Sequence, residues 1–301
     1  MAGKNILFGK DPAFREGGGQ YAPAPQYNQA FGQPQQGYGQ QGSGQPQQGS
    51  PEQLNQMFMQ PAATGHDTGR VSYRDIMNAL TATLGTIMLI AAVVMAIPAV
   101  VGAVAGEDAE MSVRGLLFIA TIIGLIGSLI FGIWGSFKRR GSAPLTMAYA
   151  VFEGLLLGGI SSTFEMIYPG IVFQAVLATL AVVASILVLF RMGKLRSSPK
   201  LTKIFFVALG AYMIFSLVNL ALIIFTQTNL RYGDFSWLGL AVGAFAVLLA
   251  SYSLVLDLEA AQIAVNNGAE RSIAWRVALG LALTVVWMYM EILRLLSILR
   301  D

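Results

Sequence analysis

The chain has 301 residues, 55% of them hydrophobic and only 12% charged, with a net charge of +3 and no cysteine. Soluble domains carry about a quarter charged residues, so this composition excludes an ordinary soluble fold, and the missing cysteines exclude a disulfide framework, a thiolate metal site and a cysteine nucleophile. The basic residues lie in short stretches between apolar runs, where membrane topology accounts for them without any nucleic-acid partner.

Residues 1 to about 65 are rich in Gly, Gln, Pro, Tyr and Ser, and repeat Gly-Gln-Pro-Gln-Gln-Gly at 32–37 and 44–49. Such a segment buries too little apolar surface to offset its ordering entropy, and the expectation is a disordered tail. It shows no apolar stretch behind a basic start and does not read as a secretory signal peptide. Its spaced tyrosines, Tyr21, Tyr27 and Tyr38, would suit weak contact with a membrane protein partner.

The bundle, residues 70–301, reads as seven apolar spans near 76–104, 115–137, 144–166, 168–190, 202–226, 235–257 and 273–299. Runs of roughly 20 apolar residues match a hydrocarbon core about 30 Å thick. The expected fold is an all-α integral membrane bundle. Pro98 is expected to kink or end the first span, and Pro144 to open the third. Tyr168-Pro169-Gly170 should turn the chain tightly into the fourth, pairing the third and fourth spans as a hairpin. Beyond Asp257, residues compatible with a helix continue to Asn267-Gly268, a stop signal.

Lys and Arg set the orientation. Arg70, Arg74, Lys138, Arg139, Arg140, Arg191, Lys194, Arg196, Lys200, Lys203, Arg271 and Arg276 flank spans on one side, and the other side offers only Arg114 and Arg231. The expectation is a plasma (inner) membrane protein with a cytoplasmic N-terminus and, for seven spans, an outer C-terminus. Gly124, Gly127, Ser128, Gly132 and Gly135 in the second span, with Gly154 and Gly158 in the third, predict close helix packing.

Three carboxylates fall within spans, where a charge costs at least about 2.5 kcal/mol at the bilayer centre. Glu153 lies nine residues past Pro144, roughly 13 Å deep at 1.5 Å per residue. It reads either as a protonated acid bonded to a neighbouring helix or as part of an ion pathway. Asp257 reads either as a hydrated residue at the membrane edge or, if its helix continues, as a group inside the bundle. Glu291 and Arg294, spaced i, i+3, form a charge pair on the seventh span. Catalysis finds little support, since the single histidine, His66, precedes the first span, and no P-loop or Rossmann fingerprint appears. No motif calls for a cofactor.

Tyr149-Ala150-Val151-Phe152-Glu153-Gly154-Leu155-Leu156-Leu157-Gly158 resembles the glutamate-glycine signature of the transmembrane Bax inhibitor motif family. Leu254-Val255-Leu256-Asp257-Leu258 and Glu291-Ile292-Leu293-Arg294-Leu295-Leu296 resemble two further segments of it, so the likeness covers about residues 70 to 300. It implies six helices around a central seventh, and a pH-sensitive calcium leak closed by two aspartates sharing a proton. Asp257 matches the first aspartate. Thr284 occupies the position of the second, at the expected depth of Asp257, where its hydroxyl can bond a carboxyl.

Whatever the family, protonation switches the charge of a carboxyl held out of water and changes what it binds. Ionised Asp257 and Glu153 would offer calcium, or other cations, weak and transient oxygen ligands, as conduction requires. The competing reading, drawn from bacterial relatives, is a non-conducting regulator that contacts a membrane-anchored protease.

Overall fold

The computed structural model describes residues 69–232 and 236–300. The expected tail, with its tyrosines and His66, lies outside the described residues. Seven helices follow in order: α1 (Tyr73–Ala105), α2 (Glu107–Phe137), α3 (Ala143–Ile167), α4 (Ile171–Arg191), α5 (Pro199–Thr226), α6 (Ser236–Asn266) and α7 (Ile273–Arg300). All seven are long and apolar enough to cross a membrane. This is a multi-pass membrane protein.

Helix ends follow local chemistry. Ser72 caps α1 through a reciprocal box in which Asp75 N donates to Ser72 Oγ (3.2 Å) and Ser72 N donates to Asp75 Oδ2 (3.1 Å). α1 runs through Pro98 instead of ending there, because a membrane helix keeps its remaining backbone bonds where no water competes for them. Gly106, at φ 90°, is the single break before α2. α2 thus starts eight residues before the expected 115, with Glu107, Asp108 and Glu110 in a first turn whose free N–H groups favour negative charge. Pro144 lies in the first turn of α3, and Gly170, at φ 81°, supplies the left-handed residue of the α3–α4 turn. α6 continues nine residues past Asp257 to Asn266, which puts that aspartate inside the helix.

The helix starts and connections bearing most of the basic residues meet at one end, the basic end. Backbone bonds fasten it: Val71 N to Ala269 O (2.7 Å) and Arg271 N to Gly69 O (3.0 Å). Arg271 pairs with Asp75 at 3.0 Å, and Ser197 N donates to Glu259 at 2.6 Å. The opposite end is held by Glu165, which accepts from Gly170 N (2.6 Å) and Val172 N (3.1 Å), and by Arg300, which donates to Pro169 O (3.0 Å) and Gln174 (2.9 Å).

α7 is the central helix and buries 18 of its 28 residues. Its backbone approaches α1, α2, α3, α4 and α6. It does not approach α5, whose Cα atoms all stay more than 8 Å from those of α7. α1, α2 and α3 form the tightest group, packed through small residues. A Cβ on Gly124 would lie 2.6 Å from Leu156 N of α3, and one on Gly158 would lie 2.6 Å from Val94 Cβ of α1. Glycine is required at both contacts because the backbones meet there.

Candidate functional site: buried carboxylates around the central helix

The polar groups inside the bundle form three clusters. The first joins α6 to α7. Asp257, 3% exposed, accepts a hydrogen bond from Thr284 Oγ1 at 2.6 Å, and Ser253 Oγ lies 3.4 Å from the same hydroxyl. Asp257 reaches this depth because α6 continues beyond it, and Gly280, one turn before Thr284 on the same face of α7, adds no side chain beside the contact.

The second cluster lies two turns further along α7. Glu291 is 2% exposed and accepts from three side chains on three elements. Tyr212 Oη of α5 donates to its Oε1, Arg294 Nη1 donates to Oε1 at 2.9 Å, and Arg231 Nη1 approaches Oε2 at 3.4 Å. Arg231, 4% exposed, comes from the α5–α6 connection and enters the bundle sideways. Asn219 and Asn229 set that entry: Leu230 N donates to Asn219 Oδ1 (2.8 Å) and Arg231 N to Asn229 Oδ1 (3.0 Å). The guanidinium lies over the rings of Tyr212 (5.4 Å) and Phe215 (5.3 Å) and donates to Ser216 at 3.3 Å. One carboxylate thus faces two guanidiniums, and each hydrogen bond compensates part of the cost of holding charge away from water. Tyr232, also in the connection, bonds Ser297 of α7 at 3.0 Å.

The third cluster lies between α2 and α3. Glu153, 7% exposed, is hydrogen bonded to Ser128, the one polar residue in the α2 glycine face. Tyr149 precedes it by one turn with its hydroxyl buried and without a hydrogen-bond partner among the described residues.

Thr284 and Glu291 are seven residues apart and so share one face of α7, with about 10 Å of rise between them. Between them Trp287 packs on Tyr212, ring centroids 5.7 Å apart. Side chains alone fill the space between α5 and α7 here. The structure therefore brings Asp257 to Thr284 and Arg294 to Glu291, while Glu153 has its partner on α2. Among the described residues no group of three or more His, Cys, Asp or Glu side chains converges on one point.

The sequence matches the Bax inhibitor 1 like family over residues 22–301. The chain belongs to this family. The match starts well before α1, in the glutamine-rich segment that the motif likeness, confined to about 70–300, does not reach. No individual curated protein matches it. Within this Bax inhibitor 1 like chain Thr284, at the position where the resemblance implies a second aspartate, donates a hydrogen bond to Asp257, so one carboxyl links α6 to α7.

Sequence reasoning missed Arg231, Tyr212 and Ser216. A signal for Arg231 was present, since it is one of only two cations that the expected spans leave in the connections opposite the basic end. Both prove to be paired: Arg114 with Glu110 at 2.6 Å, and Arg231 with Glu291. Only Arg231 serves a buried acid, since Glu110 remains 29% exposed. Tyr212 gave no such signal, because one tyrosine in an apolar span looks the same whether it faces lipid or protein.

Proposed function

We propose that this protein is a pH-sensitive leak for calcium or other cations in the plasma (inner) membrane, gated by protonation of intramembrane carboxylates. Its N-terminus would be cytoplasmic and its C-terminus outside. The observation that carries this reading is a buried acid, Asp257, hydrogen bonded to Thr284 of the central helix, on the helix face whose space toward α5 is filled by side chains alone. Conduction needs weak sites instead of one tight one, and among the described residues no third acid converges on Asp257; Glu291, already facing two guanidiniums, ties α5 to the centre instead of taking a cation. Hard carboxylate oxygens suit calcium. A proton on Asp257 removes the charge that attracts a cation, and a lost proton restores it. α5 is the element that would move, since its backbone keeps clear of α7. Glu153 contributes a separate acid in the α2–α3 seam.

The test is calcium uptake into vesicles holding the purified full chain, across roughly pH 6 to 8, where a carboxyl tuned for such a switch must titrate. The wild type is expected to show pH-dependent uptake and Asp257→Asn to lose that dependence. Unchanged pH dependence in the variant would remove Asp257 from the gate. No uptake at any pH would defeat the leak and favour regulation by contact with a membrane protein such as an anchored protease.

A further inference from the structure

Behind α7, on the side away from Thr284 and Glu291, lies a slot of about 270 Å³ walled by α1, α3, α4 and α7. Val285, Val286 and Tyr289 of α7 form its floor, and at 3.6 residues per turn these occupy the helix face roughly opposite Thr284 and Glu291. Its mouth opens between α1 and α4, which have no Cα pair within 8 Å of each other. Met88 and Leu180 at this opening are 57% and 53% exposed, and Ala92 between them is too small to close it.

We propose that this slot is a binding site for one acyl chain of a phospholipid, entering from the leaflet at the end opposite the basic residues. Depth assigns the leaflet. Val172 is the second residue of α4, at the opposite end, whereas Leu84 lies eleven residues into α1, roughly 16 Å from the basic end. The slot therefore runs from near one membrane surface to about mid-depth.

Chemistry assigns the occupant. The hydroxyls in the wall are turned to partners in the protein: Ser161 Oγ and Tyr289 Oη lie 2.7 Å apart, and Thr179 donates to Ala175 O at 2.7 Å. A water molecule needs two or more polar partners, which this lining does not offer. A void would forfeit the dispersion contacts of its walls, so hydrocarbon is the favoured filling. A helix from a second copy, about 10 Å across with its side chains, is too wide for the volume. Met88 and Met95 supply flexible, polarizable walls that adapt to a mobile chain. Arg300 places a guanidinium at the headgroup level of the same end, against the α3–α4 turn.

The test is native mass spectrometry of the full chain in detergent with added palmitoyl-oleoyl phosphatidylcholine. The wild type is expected to retain one phospholipid through extended washing. Ala92→Trp, which plugs the mouth, and Val176→Phe, which fills the slot from α4, should each lower retention about tenfold by removing the packing of a few methylenes. Leu177→Trp, a lipid-facing change on α4 outside the slot, should retain lipid as the wild type does. The proposal is overturned if the wild type retains none, if both slot variants retain it unchanged, if Leu177→Trp loses it equally, or if the retained species is something other than a phospholipid.

Discussion

α5 and α7 are both 28 residues long and both apolar enough to cross a bilayer, yet α7 buries 18 residues and α5 only three. The three on α5, Phe205, Tyr212 and Asn219, recur every seven residues and form a single edge. The difference is one of side-chain size and polarity more than hydrophobicity. The first half of α7 is built from Ala274, Ala278, Gly280 and Ala282, which let five helices approach it. α5 presents Ile, Leu, Val and Phe to the surroundings over most of its surface. It is tied to the centre by polar side chains at one level, Tyr212 directly and Arg231 just beyond its end. One helix is held by its backbone surroundings, and the other by an apolar seam with α6 and a few polar bonds to the centre.

The largest effect is expected from cutting the arginine tie. Arg231→Met keeps the apolar volume over Tyr212 but leaves Glu291 with Arg294, which is 29% exposed and more hydrated. Removing one partner of a buried ion pair costs about 3–5 kcal/mol, and the remaining arginine places this variant near about 3. Unfolding in mixed micelles should report that loss. Spin labels on single cysteines introduced into α5 and α7 of this cysteine-free chain should report a broader distance distribution. Adding Glu291→Gln to Arg231→Met should recover more than half of the lost stability, because the stranded charge is then gone.

A pair of glycines sharpens the same contrast. A side chain at Gly158 of α3 would run into Val94 and Ala91 of α1, whereas one at Gly210 of α5 would meet nothing within 4 Å. Gly158→Leu should therefore destabilise the bundle by about 2 kcal/mol, as overpacking does. Gly210→Leu should be neutral or slightly stabilising, since leucine favours helix more than glycine does. Equal losses at both positions would mean that α5 packs more tightly than its backbone separation indicates.

The fold was largely legible in the sequence because bilayer thickness imposes a length on apolar runs, and seven such runs appear. The site was legible in part. Asp257 and Glu291 stood out as carboxylates in apolar surroundings, and Thr284 only through the family resemblance, as the residue at the second aspartate's position. The Glu291–Arg294 pair follows from helical spacing alone. What remained hidden depends on how separate helices meet. Neither the α5 edge carrying Tyr212 nor the inward turn of Arg231 has a local signature, since a seven-residue recurrence of Phe, Tyr and Asn within an apolar span fits any orientation. The partner of Glu153 was equally undetermined: Ser128 lies 25 residues away on another helix, inside a glycine face whose sequence speaks only of packing.

The smallest loss is expected at Tyr212, and it separates two roles for this tie. Tyr212→Phe removes the hydroxyl that donates to Glu291 but keeps the ring that packs on Trp287 and lies under Arg231. Hydrogen bonds between membrane helices average about 0.6 kcal/mol and reach about 1.7, and a charged acceptor puts this one near about 1. If the hydroxyl is the tie, the variant should loosen α5 in spin-label distances while Tyr212→Ala, lacking the ring as well, loosens it further. If the ring alone holds α5, Tyr212→Phe should match the wild type in both stability and distance. The aromatic contact, not the carboxylate, would then fix the one helix that the backbone of α7 does not reach.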